Sequence, residues 1–340
     1  MTNQKILVTT PDYPPKLGGL STFSKNLVNL LKDNGHEVKV LCWSSISEAT
    51  NTYNQNKDFD LYFHVHYMGG FLGGFPTNKS INFCHGSELF FTSPNFLKRL
   101  IKKMSKTKSL QYFEESLQNI FISRYTRGIL QNNGFKVNYA RDLVFHNCIP
   151  LPEEVPVQKK FYREEKIKLC SIARDVPHKN LDGVFSFAEL LAKVSKQKIE
   201  LSMTSNRFQS SEDIIFKDIS NITNSELIKV YNDSHYNVLL SKNNSSKGFV
   251  EGFGLTTLEA AKYGTPSIVT NSGGLKENIH HEYNGYRFDE VTEATVEEFF
   301  KKSLDLYPSW SQNCFEHLVS SHSMEVFQKL LSKLIGSHSE

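Results

Sequence analysis

Short, near-continuous apolar runs recur along the chain and alternate with stretches whose apolar residues fall three and four positions apart. The runs at 5–9, 37–41, 61–65, 80–84 and 119–123, and then at 168–172, 200–203, 214–216, 236–240 and 267–270, predict buried strands. Helical spacing predicts helices over 21–31, 124–131, 181–194, 225–231, 255–263, 290–306 and 324–335. In the first, Ser21 is the expected cap and Phe23, Leu27, Leu30 and Leu31 form the inner side. Ser225 is the expected cap of the helix ending at Tyr231. Strands of this kind, alternating with helices, predict an α/β chain built on parallel sheets. Pro150, Pro152 and Pro156, interleaved with Glu153 and Glu154, make a stiff polar connector and the expected domain boundary.

One stretch concentrates the chemistry. Gly252 and Gly254 allow the backbone to bend and to approach a ligand closely, and a helix starts at Leu255 and stops at Gly264, with Pro266 beyond. A glycine loop feeding a helix start, here around Gly254, Leu255 and Thr256, offers outward N–H groups to an anion. Glu251 and Glu259 bracket it, eight positions apart. Carboxylates repel phosphate but accept hydrogen bonds from hydroxyls. The arrangement therefore suits a ligand with phosphate in the middle and hydroxyl-bearing rings at both ends, the layout of a nucleoside-diphosphate sugar.

The totals narrow the class without naming it. A length of 340 residues predicts about two domains. With 39 basic and 36 acidic residues, the net charge of +3 argues against a nucleic-acid partner. The five cysteines show no C-x-x-C spacing, which fits a reducing compartment. No apolar run reaches the ~20 residues that cross a bilayer, and the start of the chain lacks the apolar core of a signal peptide. A cytoplasmic protein is expected. The segment 94–108 puts Phe96, Leu97, Leu100, Ile101 and Met104 on one helix face and basic residues on the other. It suits peripheral contact with the inner face of a membrane through 96–108, or equally a solvated surface helix.

Four further features invite a metal or phosphate reading. Asp58-Phe59-Asp60 precedes a strand, so it reads as a turn and no metal is expected there. His64 and His66 share a strand face and His85 follows another strand, which reads as a cleft lining more readily than as a three-histidine site. The Gly18-Gly19 loop follows the first strand without a dinucleotide fingerprint. Arg174 and Lys179 lie on a loop ahead of a helix, where a bidentate guanidinium and an ammonium suit a departing diphosphate.

The words EGFGLTTLEAAKYGTPSIVTNSGGLKE, with Glu251 and Glu259 as an E-x7-E pair, resemble glycosyltransferase family 4 of the retaining GT-B enzymes. The Pro14-Pro15 to Gly18-Gly19 loop, His85-Gly86-Ser87-Glu88-Leu89, the Arg174/Lys179 pair and Asn284-Gly285-Tyr286 are similar to that family too. The resemblance implies two Rossmann-like domains facing across a cleft. Residues 1–152 would bind the acceptor, joined by a C-terminal crossover helix at about 322–340, and residues 153–321 would bind the nucleotide sugar. It implies a retaining, metal-independent transfer without cofactor, from a UDP- or GDP-sugar to a glycan or lipid-linked acceptor, in surface polysaccharide or lipopolysaccharide assembly. Glu251 would orient the hexose, His85 would lie beside the reacting sugar, and Arg174 and Lys179 would hold the diphosphate. Gly18, Gly19, Phe253, Gly254, Leu255, Thr256 and Glu259 would complete the donor site, with Glu259 on the ribose and main chain near Ile219 on the base. Departures are Cys148 for a glycine, Ala173 for a glycine, and a longer polar loop at 241–250. An epimerase of the same fold and a catalytically silent partner subunit remain alternatives.

Overall fold

The computed structural model describes residues 3–16, 18–86, 100, 103–160, 166–244 and 249–336. Residues 96–99, 101 and 102 of the basic segment 96–108 lie outside these residues. The chain divides into two compact units. The first holds the chain up to Pro150, residues 249–252 and the last helix; the second holds the remainder.

The first unit is a parallel sheet of β1 (Lys5–Thr10), β2 (Glu37–Cys42), β3 (Leu61–His64), β4 (Ser80–Cys84), β5 (Gln118–Phe121) and β6 (Leu143–Val144), in the order β2-β1-β3-β4-β5-β6. Alternate side chains of β1 enter different cores: Ile6 and Val8 one, Leu7 another, all fully buried. That is why its sequence is apolar throughout. Helices α1 (Gly19–Asp33), α2 (Ile46–Ala49), α3 (Tyr67–Gly73), α4 (Lys106–Glu115) and α5 (Arg124–Asn132) belong to this unit. The second unit has β7 (Ile167–Ser171), β8 (Ile199–Met203), β9 (Ile214–Asp218), β10 (Tyr236–Leu239), β11 (Ser267–Thr270) and β12 (Gly285–Phe288), in the order β12-β11-β10-β7-β8-β9, again parallel. Its helices are α6 (Leu181–Ser195), α7 (Asn224–Asp233), α8 (Leu255–Ala261), α9 (Leu275–Asn278) and α10 (Glu293–His322). Helix α11 (Met324–Gly336) returns to the first unit, where Phe327, Leu331, Leu334 and Ile335 pack with Phe23 and Leu27 of α1.

Several boundaries differ from the sequence expectation. Helix α1 opens at Gly19 with Gly18 as its cap, and Ser21 is buried inside its first turn. Thr223, not Ser225, caps α7, through a capping box with Glu226. Helix α10 continues past Pro308 to His322. Helix α3 is unexpected: Gly69, Gly70 and Gly73 weaken its propensity. They are needed for fit, since a Cβ at Gly69 would lie 2.9 Å from the Trp43 indole nitrogen.

Candidate functional site

Strand order locates the site in the second unit. From β9 the sheet runs to β8, β7, β10, β11 and β12, so chain progression reverses between β7 and β10. In open α/β sheets, ligands bind at the carboxyl ends of the strands flanking such a reversal. The loop leaving β7 carries Arg174 and Lys179, and the path leaving β10 leads to Gly254, α8 and Glu259. Two hydrogen bonds join these paths: Asn180 Nδ2 donates to Leu240 O (3.0 Å) and the Lys242 N–H to His178 O (2.8 Å).

The cationic loop is fixed on its other side as well. The Ala173 N–H donates to Thr204 Oγ1 (2.9 Å). Arg207 grips both oxygens of Asp175, at 2.7 and 3.0 Å, and Ser205 Oγ donates to the same carboxylate at 2.7 Å. The Arg207 bonds, then that of Ser205, hold the Asp175 pKa below its usual value. Asn180 ends the loop in the left-handed region at φ 53°. Within it Arg174 is exposed and Lys179 half-buried.

Gly254 caps α8 at φ 84°, and a Cβ there would collide with Leu275. Both facts restrict the position to glycine. Thr257 Oγ1 donates back to Gly254 O at 2.7 Å. Thr256 Oγ1 is buried with no hydrogen-bond partner among the described residues. The Thr257 N–H donates to Gly254 O at 3.0 Å, and the N–H groups ahead of it lie before the helix's own acceptors by geometry. Leu255 is half-buried. Glu259 sits one turn into α8 and accepts from the Tyr231 hydroxyl at 3.0 Å. Burial pushes the Glu259 pKa up, while the Tyr231 bond and the nearby Lys262 pull it down.

Two residues expected at the donor site are buried. Phe253 is 1% exposed, with its ring 5.4 Å from that of His322, so it packs inside the unit and offers no surface. Ile219 is buried and its N–H is already committed to Met203 O at 3.0 Å. Its main-chain donor is therefore occupied.

The other expected residues belong to the first unit. Gly18 and Gly19 open α1, and His85, just past β4, packs edge-on to Phe23 of α1 at 5.0 Å. Glu251 and Gly252 group with this unit; a Cβ at Gly252 would collide with His85 O. Glu251 is 7% exposed. The unit boundary thus falls between Gly252 and Phe253, inside the glycine-rich motif.

His64 of the histidine strand face does not line a cleft. His64 is fully buried, with Nδ1 2.8 Å from Thr9 Oγ1 and Nε2 3.2 Å from Ser80 Oγ. Burial lowers its pKa to about 3, so it is neutral. Asp60 accepts from the Lys5 N–H at 2.8 Å, a structural role in the turn before β3. Tyr231, Arg207 and Asn180 were not signalled by sequence, because their partners are distant in the chain.

Comparison with known proteins bears on the fold and on residues 154–309. Residues 154–309 match the family described as glycosyl transferases group 1. Stretches of 99 and 96 residues are each 29% identical to sucrose synthase 2 of Pisum sativum and to sucrose synthase of Nitrosomonas europaea. They cover 27% and 25% of this chain but only 12% of either enzyme. Among solved structures, sucrose-phosphate synthase from Thermosynechococcus elongatus superposes with a TM-score of 0.71 at 14% identity, covering 98% of this chain and 99% of that one. HepE of Anabaena, solved with UDP and glucose, gives 0.66 at 12% identity, covering 98% and 100%. WaaG, a glycosyltransferase involved in lipopolysaccharide biosynthesis, gives 0.69 at 12% identity, covering 97% and 100%. The chain therefore has the GT-B fold, and its residues 154–309 are similar to glycosyl transferases group 1.

Proposed function

We propose that this chain is a retaining glycosyltransferase of family 4 that moves a hexose from a UDP- or GDP-sugar to a hydroxyl of a glycan or lipid-linked acceptor. One observation carries the reading. At the β7/β10 reversal, a loop with two cations is hydrogen-bonded to the path leading to a glycine-capped helix that bears a carboxylate. Cations, first-turn N–H groups and a hydroxyl acceptor are the three elements a nucleoside diphosphate requires.

In the proposed chemistry the bond from the anomeric carbon to the diphosphate breaks, and negative charge grows on the leaving group. Arg174, Lys179 and the N–H groups at 254–256 stabilise that charge by preorganised electrostatics, without a metal ion. Glu259 accepts from the ribose hydroxyls. Glu251 orients the hexose beside His85, and the first unit takes the acceptor. Retention follows from attack on the face the diphosphate leaves, with a phosphate oxygen taking the acceptor proton. HepE, crystallised with UDP-glucose, and the sucrose synthases support a nucleotide-sugar donor. The role of WaaG supports surface polysaccharide or lipopolysaccharide assembly as the setting.

A thermal-shift screen against UDP- and GDP-sugars, followed by anomer analysis of the product, tests the reading. One donor should stabilise the protein, and Lys179→Ala should lose more than about tenfold in turnover. Absence of any donor-dependent shift would overturn the assignment.

A further inference from the structure

Tyr231 lies at the end of α7, 2% exposed, and its hydroxyl points at one oxygen of Glu259. We propose that Tyr231 is a positioning residue for the nucleotide, fixing the Glu259 carboxylate so that its other oxygen is presented to the ribose hydroxyls. This rests on the donor-site reading above and extends it to a residue outside the glycine-rich motif.

The phenol is held too firmly to be a passive neighbour. Its ring stacks on Tyr263 with centroids 6.2 Å apart and planes 11° from parallel. Its carbonyl accepts from Lys159 Nζ at 3.1 Å and from Thr265 Oγ1 at 2.6 Å. Lys159 also reaches Ser234 O at 2.9 Å, and its own N–H is tied to Ser311 Oγ at 3.0 Å. Ser311 in turn donates to Gly264 O at 2.7 Å, the turn that ends the segment carrying Glu259. Tyr231 is thus clamped on its backbone side and aimed on its hydroxyl side.

A carboxylate has two oxygens. Here Oε2 is taken by the hydroxyl at 3.0 Å, and no hydrogen bond to Oε1 is found among the described residues, so that oxygen is the one offered to a ligand. A long glutamate side chain loses rotamer freedom when it binds, and a carboxylate already fixed loses less. The buried phenol needs an acceptor of its own, so each group satisfies the other. The same bond opposes the burial that raises the Glu259 pKa. The titratable groups around the pair are Lys262 and Tyr263 on the Glu259 side, and Lys159 and the Cys170 thiol on the Tyr231 side.

The test is a cycle of two proteins and two ligands. Wild type and Tyr231→Phe are titrated with a nucleoside diphosphate and with its 2′,3′-dideoxy counterpart, using whichever of UDP and GDP the wild type binds. The phenylalanine ring keeps the core filled, and equal melting temperatures confirm the fold. Tyr231→Phe should weaken the full nucleotide on the order of tenfold, the scale of one charge-assisted hydrogen bond, and leave the dideoxy ligand unchanged. Its affinity for the full nucleotide should also fall away at a higher pH than that of wild type, because Glu259 has lost a donor. Glu259→Gln, with Tyr231 intact, should likewise reduce discrimination between the two ligands. Equal weakening of both ligands in Tyr231→Phe would make the residue merely structural and overturn the inference, as would no change in either. Wild type binding neither UDP nor GDP would overturn the donor reading itself, and this inference with it.

Discussion

Gly252 lies directly against the main-chain carbonyl of His85, with no room for a Cβ between them. The neighbouring Gly86 is held at φ 127°, where an added Cβ would lie 3.3 Å from Val250 Cγ2. The 85–86 turn and the 249–252 segment therefore fit against each other through two glycines. Gly252→Ala should push that segment off the turn and displace Glu251. The expected cost is about 1–3 kcal/mol of stability, as for other overpacked sites. Sugar transfer should fall more than about tenfold, because a displacement near 1 Å at a reacting group has that scale of effect. In the proposed site, nucleoside-diphosphate binding would rest on Arg174, Lys179 and α8, and it should change little. Melting temperature, turnover and isothermal titration with the diphosphate check the three statements; loss of diphosphate binding alone would refute the division of roles.

The strands were readable from sequence because buried parallel strands need apolar residues on both faces. Ile6, Leu7 and Val8 are all fully buried, and they show as an unbroken run. Gly254 and Glu259 were readable because their geometry is local: a left-handed cap and a position one turn into a helix. The assignment of Glu251 was not. It depends on Gly252 fitting His85, a non-local contact that leaves no periodicity. Helix α3 was hidden because its glycines answer to Trp43, His64 and Phe75 and override helix propensity. Ser225 was read as the cap because it starts the periodic stretch, whereas the Thr223–Glu226 spacing carries the capping box. Phe253 looked available for a ligand by its place in the motif, yet an aromatic between two glycines can turn inward and fill the core.

Asn180 separates backbone strain from hydrogen bonding. It holds φ 53° and donates through Nδ2 to Leu240 O at 3.0 Å, between the two loops of the candidate site. Asn180→Gly keeps the left-handed backbone accessible and loses only the bond, at about 1 kcal/mol. Asn180→Ala loses the bond and adds left-handed strain of about 1 kcal/mol or more. Stability should therefore rank wild type, glycine variant, alanine variant. Urea unfolding of all three checks it; an alanine variant as stable as the glycine variant would show that the backbone relaxes.

Acid should unfold the first unit partly through His64. Its pKa in the fold is about 3, against an ordinary value of 6.5. Between those values the unfolded chain binds a proton that the folded chain cannot. Stability from this group therefore falls as pH drops below about 6.5, and it is unaffected above. His235 behaves likewise in the second unit, lowered to about 4 by burial and the nearby Lys159 and Lys168. His64→Gln should flatten the dependence of stability on pH between about 6 and 4, by up to ~1.4 kcal/mol per pH unit. Denaturant titrations at several pH values give both slopes, and parallel slopes would show that His64 titrates normally.

Arg207 should matter more for ligand binding than for stability. It joins Asp175 and Asp182, and its side chain is 45% exposed, as are theirs at 35% and 72%. Exposed ion pairs contribute about 0–1 kcal/mol to folding, so Arg207→Gln should hardly move the melting temperature. The Arg207–Asp175 pair, however, helps to hold the loop bearing Arg174 and Lys179. A loosened loop must be ordered again when a diphosphate binds, and that entropy is taken from affinity. Arg207→Gln should raise the diphosphate dissociation constant about threefold to tenfold, the scale of ordering a few side chains. Arg207→Lys should recover only part of the loss, because an ammonium cannot grip both carboxylate oxygens as the guanidinium fork does. Asp175→Asn, which leaves Arg207 charged, should give the same affinity loss as Arg207→Gln. If the aspartate variant instead binds diphosphate more tightly, Arg207 has been released to contact the ligand itself, and its role is binding and not restraint.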